Sequence, residues 1–159
     1  MKRLLLGLVI AVGFGSAAGA ARADEGPLMA PIHLFVDAFN KGDDKTAAKA
    51  FAPGSISIID EVPPHVWSGT GALQHWAKAL ETVSKADGLT DEGVTLGEPS
   101  RQDINGPVGY VVVAATFTYK EKGKAMREPA QMVYSLKKQA GHWLITGWTW
   151  VGGKEEPAS

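Results

Sequence analysis

The chain has 159 residues, a formal net charge of −1 and no cysteine. That length argues for one domain. The missing cysteine excludes disulfides, thiolate nucleophiles and cysteine metal sites. Near-neutral charge is also unlike a nucleic-acid binder, which needs a basic surface to neutralise phosphates.

Lys2 and Arg3 precede an apolar run from Leu4 to Val12 that continues through Gly/Ala-rich sequence to Ala21-Arg22-Ala23. This is the pattern of a secretory leader cut between Ala23 and Asp24. The run is rich in glycine and alanine and lacks a stop-transfer flank, which argues against a membrane anchor. Removing residues 1–23 leaves 136 residues with 13 basic and 17 acidic side chains, a formal charge of −4. The expectation is an exported protein, periplasmic or secreted and bacterial. It has no nucleic-acid partner and no membrane attachment after cleavage. A domain of that size buries about two-thirds of its unfolded surface and folds without staples.

From Leu28 the apolar residues Leu28, Ile32, Phe35, Val36 and Phe39 recur on one helical face, with Pro31 acceptable in a first turn. The helix stops at Asn40-Lys41-Gly42-Asp43, where Gly42 suits a left-handed end and Asp43 or Asp44 caps the next helix. That short alanine-rich helix is expected over Thr46–Phe51, ended by Pro53-Gly54. Ser55–Asp60 reads as a strand by its β-branched content, followed by a Pro63-Pro64 turn and a brief extended Val66-Trp67. A third helix, capped by Ser68 or Thr70, carries Leu73, Trp76, Ala77, Leu80 and Val83 on one face and ends at Asp87-Gly88.

The period then changes. Val94–Asp103, Val108–Tyr119, Ala125–Lys138 and His142–Val151 read as four strands joined by turns short enough for antiparallel hairpins. The layout is α+β: about three N-terminal helices on a strongly bent, mainly antiparallel sheet. Residues 24–152 form the single expected domain, and 153–159 a flexible tail. Tyr110, Val112 and Ala114 alternate with Val111, Val113 and Ala115, so both sheet faces carry apolar residues. An antiparallel sheet normally buries one face, so a homodimer through the other is the expectation.

Several segments together resemble the cone-shaped NTF2-like superfamily, in particular its SnoaL-like and steroid delta-isomerase-like branches. They are Val36-Asp37-Ala38-Phe39-Asn40-Lys41-Gly42-Asp43, Ala50-Phe51-Ala52-Pro53, the strand Ser55–Asp60, Ser68-Gly69-Thr70-Gly71-Ala72-Leu73 and Gly141-His142-Trp143-Leu144-Ile145. The likeness spans about Pro27 to Val151 and implies a deep apolar pocket between the helices and the concave sheet face. It also implies where an isomerase would keep its catalytic groups. The oxyanion-stabilising tyrosine falls at Phe35, the general-base aspartate at Ile59 with Asp60 one residue out of register, and the protonated aspartate near Gln131. Three departures at three positions argue against steroid isomerisation.

Asp60 and His65 are the candidate catalytic residues, a carboxylate at the rim of an apolar pocket and an imidazole just beyond a rigid turn. The alternative for Asp60 is a strand-end acid or turn cap, and for His65 a plain surface residue. Candidate pocket residues are Phe35, Ile59, Trp67, Trp76, Tyr110, Gln131 and Trp148. Of the strand tryptophans, Trp148 and Trp150 share a face and Trp143 points to the other. The four histidines, His33, His65, His75 and His142, show no close metal-ligand spacing, and no metal is expected. No phosphate loop, nucleophile elbow or dinucleotide fingerprint asks for a cofactor. The favoured reading is a non-catalytic binder of a small apolar or aromatic molecule. Its rivals are a cofactor-independent isomerase, cyclase or dehydratase using Asp60 with His65, and a protein-interaction subunit.

Overall fold

The computed structural model describes residues 25–158, and the expected leader and its cleavage point lie outside them. In order the elements are α1 (Met29–Phe39), α2 (Asp44–Ala48), β1 (Ile56–Ile59), β2 (Val66–Gly69) and α3 (Ala72–Asp87). They are followed by β3 (Leu89–Asn105), β4 (Val108–Glu121), β5 (Lys124–Gln139), β6 (His142–Gly152) and the short β7 (Glu156–Pro157). Among the described residues no helix is long and apolar enough to cross a membrane.

Helix α1 forms where the helical period places Ile32, Phe35 and Val36 on one buried face. Its last turn runs out at Asn40, and Gly42 takes the left-handed conformation (φ 64°) that ends the segment. Asp43 then caps α2, its carboxylate accepting from the Thr46 backbone N–H at 3.0 Å. Helix α2 starts and stops earlier than expected, because Ala50 and Phe51 are drawn off to the sheet, where Phe51 bridges Ile145. Helix α3 follows Gly71, so neither Ser68 nor Thr70 caps it, and Gly88 (φ 71°) ends it.

The sheet has the order β2-β1-β6-β5-β4-β3, with β7 continuing on the edge of β5 beyond the end of β6. Every neighbouring pair is antiparallel except β1 and β6, which run parallel with Ile58 opposite Trp148. The fold is α+β, with a curved, unclosed sheet holding the helices on its concave side. Register shifts at Thr90/Gly93 and Leu96/Pro99 in β3 and at Ser135/Leu136 in β5 mark where strands bend. Strand β3 begins at once after Gly88, earlier than expected. The tail expected to be flexible carries β7, where Arg127 pairs with Glu156 and the Ala158 N–H reaches Ala125 O at 3.0 Å.

Alternation sorts the side chains. Val111, Val113 and Ala115 of β4 and Met132, Tyr134 and Leu136 of β5 face the helices and are buried. On the convex face Tyr110, Ile59, Val66 and Val151 are exposed, while Val112 and Val133 are half-buried. One polar contact fixes α1 to the sheet. The Asn40 side chain donates to Val94 O at 2.8 Å and accepts from Val94 N–H at 2.7 Å, filling the place of a neighbouring strand.

Candidate functional site

Three residues of the α1 face, Phe35, Val36 and Phe39, meet Trp76, Leu80, Val83 and Ser84 of α3 over the early parts of β3 and β5 and the late parts of β4 and β6. They do not close-pack. A cavity of about 220 Å³ remains, walled on the sheet side by Val94, Phe117, Glu128, Met132, Trp148 and Trp150 and at its mouth by Asp60, Glu61, Val62, Pro63 and Glu155. Several rings of the wall meet edge to face. Trp76 stands at 87° to Trp148 with centroids 4.9 Å apart, and Phe117 at 84° to Trp150 at 6.4 Å.

The polar groups of the cavity fall into donors and acids. The indole N–H groups of Trp76 and Trp148 are buried without an acceptor. A buried donor left unpaired is uncommon and costs about 1–3 kcal/mol. Asp60 lies just past the end of β1, where Ile56 and Ile58 point inward and the next inward place is its own. One carboxylate oxygen accepts from the Val62 N–H at 2.8 Å, and its backbone N–H donates to His65 O at 3.0 Å, closing the turn. Burial raises its pKa, against the pull of the Val62 N–H and the nearby Trp76 indole. The indole helps hold the charge without reaching hydrogen-bond geometry. Asp60 is therefore both a turn cap and a cavity group.

Glu128 is 5% exposed, deep in β5 between Arg127 and Pro129. Its Oε1 accepts from the Trp150 indole N–H at 3.3 Å. Burial pushes its pKa up to about 7 in spite of that donor, and the carboxylates of Glu61 and Glu155 add to the rise. Glu61 and Glu128 are brought together by Gly152, where a Cβ would overlap an Oε1 of both. Glu155 is carried to the same mouth by the turn into β7 and, after burial, helps raise the Tyr119 hydroxyl to about 12. No ion pair between described residues ties Asp60, Glu61, Glu128 or Glu155 to a cation. Among the described residues no group of three His, Cys, Asp or Glu is set to hold a metal ion.

Phe35, Asp60, Trp76 and Trp148, read from the sequence as site residues, line this cavity. The others lie elsewhere. His65 is exposed, held with φ 74° by its own N–H to Val62 O, and is not in the cavity wall. Trp67 is buried on β2 opposite Ile58, in the core and away from the wall. Ile59, Tyr110 and Gln131 sit on the convex face, because a period of two puts them opposite their inward neighbours Ile58, Val111 and Met132. So Asp60, not Ile59, holds the inward position. Trp143 is also corrected: it reaches the core beside Gly109, since the register shift opposite Ser135/Leu136 returns it to the concave side. Glu128 was missed although its signal was present, for it shares the inward period of Ala130, Met132, Tyr134 and Leu136.

No family model and no curated protein sequence matches the chain. Solved structures match it in shape. The hexachlorocyclohexane dehydrochlorinase (LinA) Type2 superposes with a TM-score of 0.69 at 8% identity, over 84% of this chain and 87% of that one. A nuclear transport factor 2 (NTF2-like) superfamily protein from Salmonella enterica serovar Typhimurium LT2 does so at 0.62 and 16%, over 81% and 87%. The fold is that of the NTF2-like superfamily. A ketosteroid isomerase-like protein from Erwinia carotovora atroseptica SCRI1043 matches at 0.60 and 17%, over 84% of this chain and 99% of its own. At such identities the likeness carries the NTF2-like fold alone, and function rests on the site.

Proposed function

We propose that the protein, exported and paired through its convex sheet face, binds a small and largely apolar molecule in the cavity beneath α1 and α3. The observation that carries this reading is an aromatic cavity of about 220 Å³ in which the Trp148 indole N–H has no acceptor and the Trp76 N–H has only the Asp60 carboxylate near it, short of a hydrogen bond. Donors without acceptors inside a shaped apolar space are what a ligand's polar atom would satisfy. Three tryptophans in the wall make binding visible. Incubation of the purified protein with a metabolite pool should leave one class of compound bound in native mass spectrometry and change the intrinsic fluorescence. Val83→Phe, which extends a half-buried wall residue into the space, should abolish both while leaving the melting temperature in place. Equal retention by that variant would put the ligand elsewhere.

A second reading has its own support. Asp60 and Glu128 line one cavity and both have raised pKa values, Glu128 near 7, which suits proton transfer at neutral pH. Asp60 would take a proton from a bound molecule and Glu128 return one, giving an isomerase or lyase without a cofactor. His65 has no part in this version. The dehydrochlorinase and the isomerase-like protein of the same fold make such chemistry reasonable by analogy. Retained compounds recovered unchanged after prolonged incubation in deuterated water, with no exchange, would remove it.

A further inference from the structure

We infer that the cavity is built for an organic cation: an amine on an aromatic or alicyclic body of about ten heavy atoms, with an oxygen for an indole N–H. This rests on the binding reading above and names its ligand class.

The charge on the wall is of one sign. Asp60 and Glu61 come from the turn after β1, Glu128 from β5 and Glu155 from the turn into β7, while no Lys, Arg or His is among the described residues lining the space. The protein as a whole has nearly balanced charge, so this is local concentration. Nor do surface cations answer these acids, since the ion pairs of the described residues join other partners. Glu61 and Glu155 are exposed and screened by water, so the attraction for a positive ligand comes chiefly from the half-buried Asp60 and the buried Glu128.

The rings agree with the acids. Phe35 and Phe39 on α1, Trp76 on α3 and Phe117, Trp148 and Trp150 on the sheet surround the same space. The perpendicular pairs Trp76–Trp148 and Phe117–Trp150 form two aromatic corners. The face of an aromatic ring is electron-rich and attracts a cation within about 6 Å, and aromatic corners are how proteins hold ammonium groups. Glu61 and Glu128 come together beside Gly152 with no cation between them, and a bound ammonium group would supply the charge that makes their closeness tolerable.

Other ligands fit less well. An anion would face four acids. A plain hydrocarbon would leave the Asp60 and Glu128 carboxylates and the two indole N–H groups against carbon. A bare metal ion finds no cluster of three ligands among the described residues. Size is set by volume, because a dry cavity of about 150 Å³ takes benzene, and about 220 Å³ takes a ring with a short polar arm.

Three probes of one shape separate the cases: 2-phenylethylamine, 2-phenylethanol and phenylacetate, titrated by tryptophan fluorescence and calorimetry at pH 8 against the native protein and Val83→Phe. The amine should bind at least tenfold more tightly than the alcohol, and phenylacetate should not bind. In Glu61→Gln/Glu128→Gln, whose fold circular dichroism would check, the amine's advantage should fall at least fivefold while the alcohol's affinity holds. An alcohol that binds as well as the amine, and loses binding in Val83→Phe, would overturn the cation inference and leave the pocket standing. A preference for phenylacetate would overturn it outright. Signals from all three that Val83→Phe leaves unchanged would remove the pocket and the inference together. An amine preference that survives loss of both glutamates would overturn the role given to them.

Discussion

The two ends of the concave sheet face are made by the same strands and the same helix, yet one is dry and the other hollow. At the N-terminal end of α1, Leu28, Met29 and Ile32 meet Val111, Leu136 and Ile145, each at most 1% exposed. Half a helix further on, Phe35 still packs on Trp148 with ring centroids 5.9 Å apart, but a cavity separates this helix face from Phe117 and Trp150. Each end uses a strand glycine to admit a neighbour. A Cβ at Gly109 would strike Leu28, and one at Gly152 would strike Glu128 and Glu61. The first glycine admits a branched hydrocarbon that completes the packing, the second a pair of carboxylates that cannot. Glycine on a strand makes room in both cases, and the chemistry of what enters decides between core and site.

The sharpest way to break this contrast is to truncate both ends. Leu28→Ala should cost about 3 kcal/mol in urea unfolding, because a close-packed core cannot collapse onto the hole. Leu80→Ala, on the cavity wall, should cost less than half as much. Equal losses would mean that the two ends are packed alike.

Next in size is Glu128. In the folded protein its pKa is about 7, against an ordinary 4.5. Between those values the folded chain keeps a proton that the unfolded chain has lost, so stability falls as pH rises through this window and stays lowered above it. Glu128→Gln removes the penalty. Allowing for screening at the cavity mouth, the variant should be more stable than the native protein by roughly 2 kcal/mol at pH 8 and equal to it near pH 4. A difference that does not change with pH would show that neither burial nor the nearby Glu61 and Glu155 raises the Glu128 carboxyl.

The smallest effect on stability belongs to the convex face. Val151→Lys replaces a residue 51% exposed and should shift the unfolding free energy of a protomer by no more than about 0.5 kcal/mol. If the convex face pairs two copies, the same change should halve the sedimenting mass at tens of micromolar. A native protein that already sediments as a monomer would remove the dimer.

Much of this was legible in the sequence because it depends on period. The helical spacing of Phe35, Val36 and Phe39, the Asp43 cap and the four long strands come from local rules. The faces of single residues did not, where ungapped spacing stood in for the strand's own alternation. Ile56 and Ile58 pointing inward already send Ile59 out and Asp60 in, and the run Glu128, Ala130, Met132, Tyr134 already turns an acid toward the core. What alternation cannot give is convergence. Glu61, Glu128 and Glu155 are far apart in the chain and meet through the parallel pairing of β1 on β6 and the turn into β7. Trp143 was lost to a register shift that no residue in the sequence announces.

The double hydrogen bond from Asn40 to Val94 has a bearing on how the cavity answers its contents. A side-chain amide there takes the place of a peptide group, so the distance between the end of α1 and β3 is set by the same kind of bond that joins paired strands. Across the space, α3 is held by side-chain packing and by Ser84 on Glu92. The end of α1 is thus tied to the sheet through backbone groups, and α3 through side chains. A guest slightly too large for the proposed pocket should therefore displace α3 before α1, which would put tolerance for size along Trp76, Leu80 and Val83 and discrimination along Phe35 and Phe39.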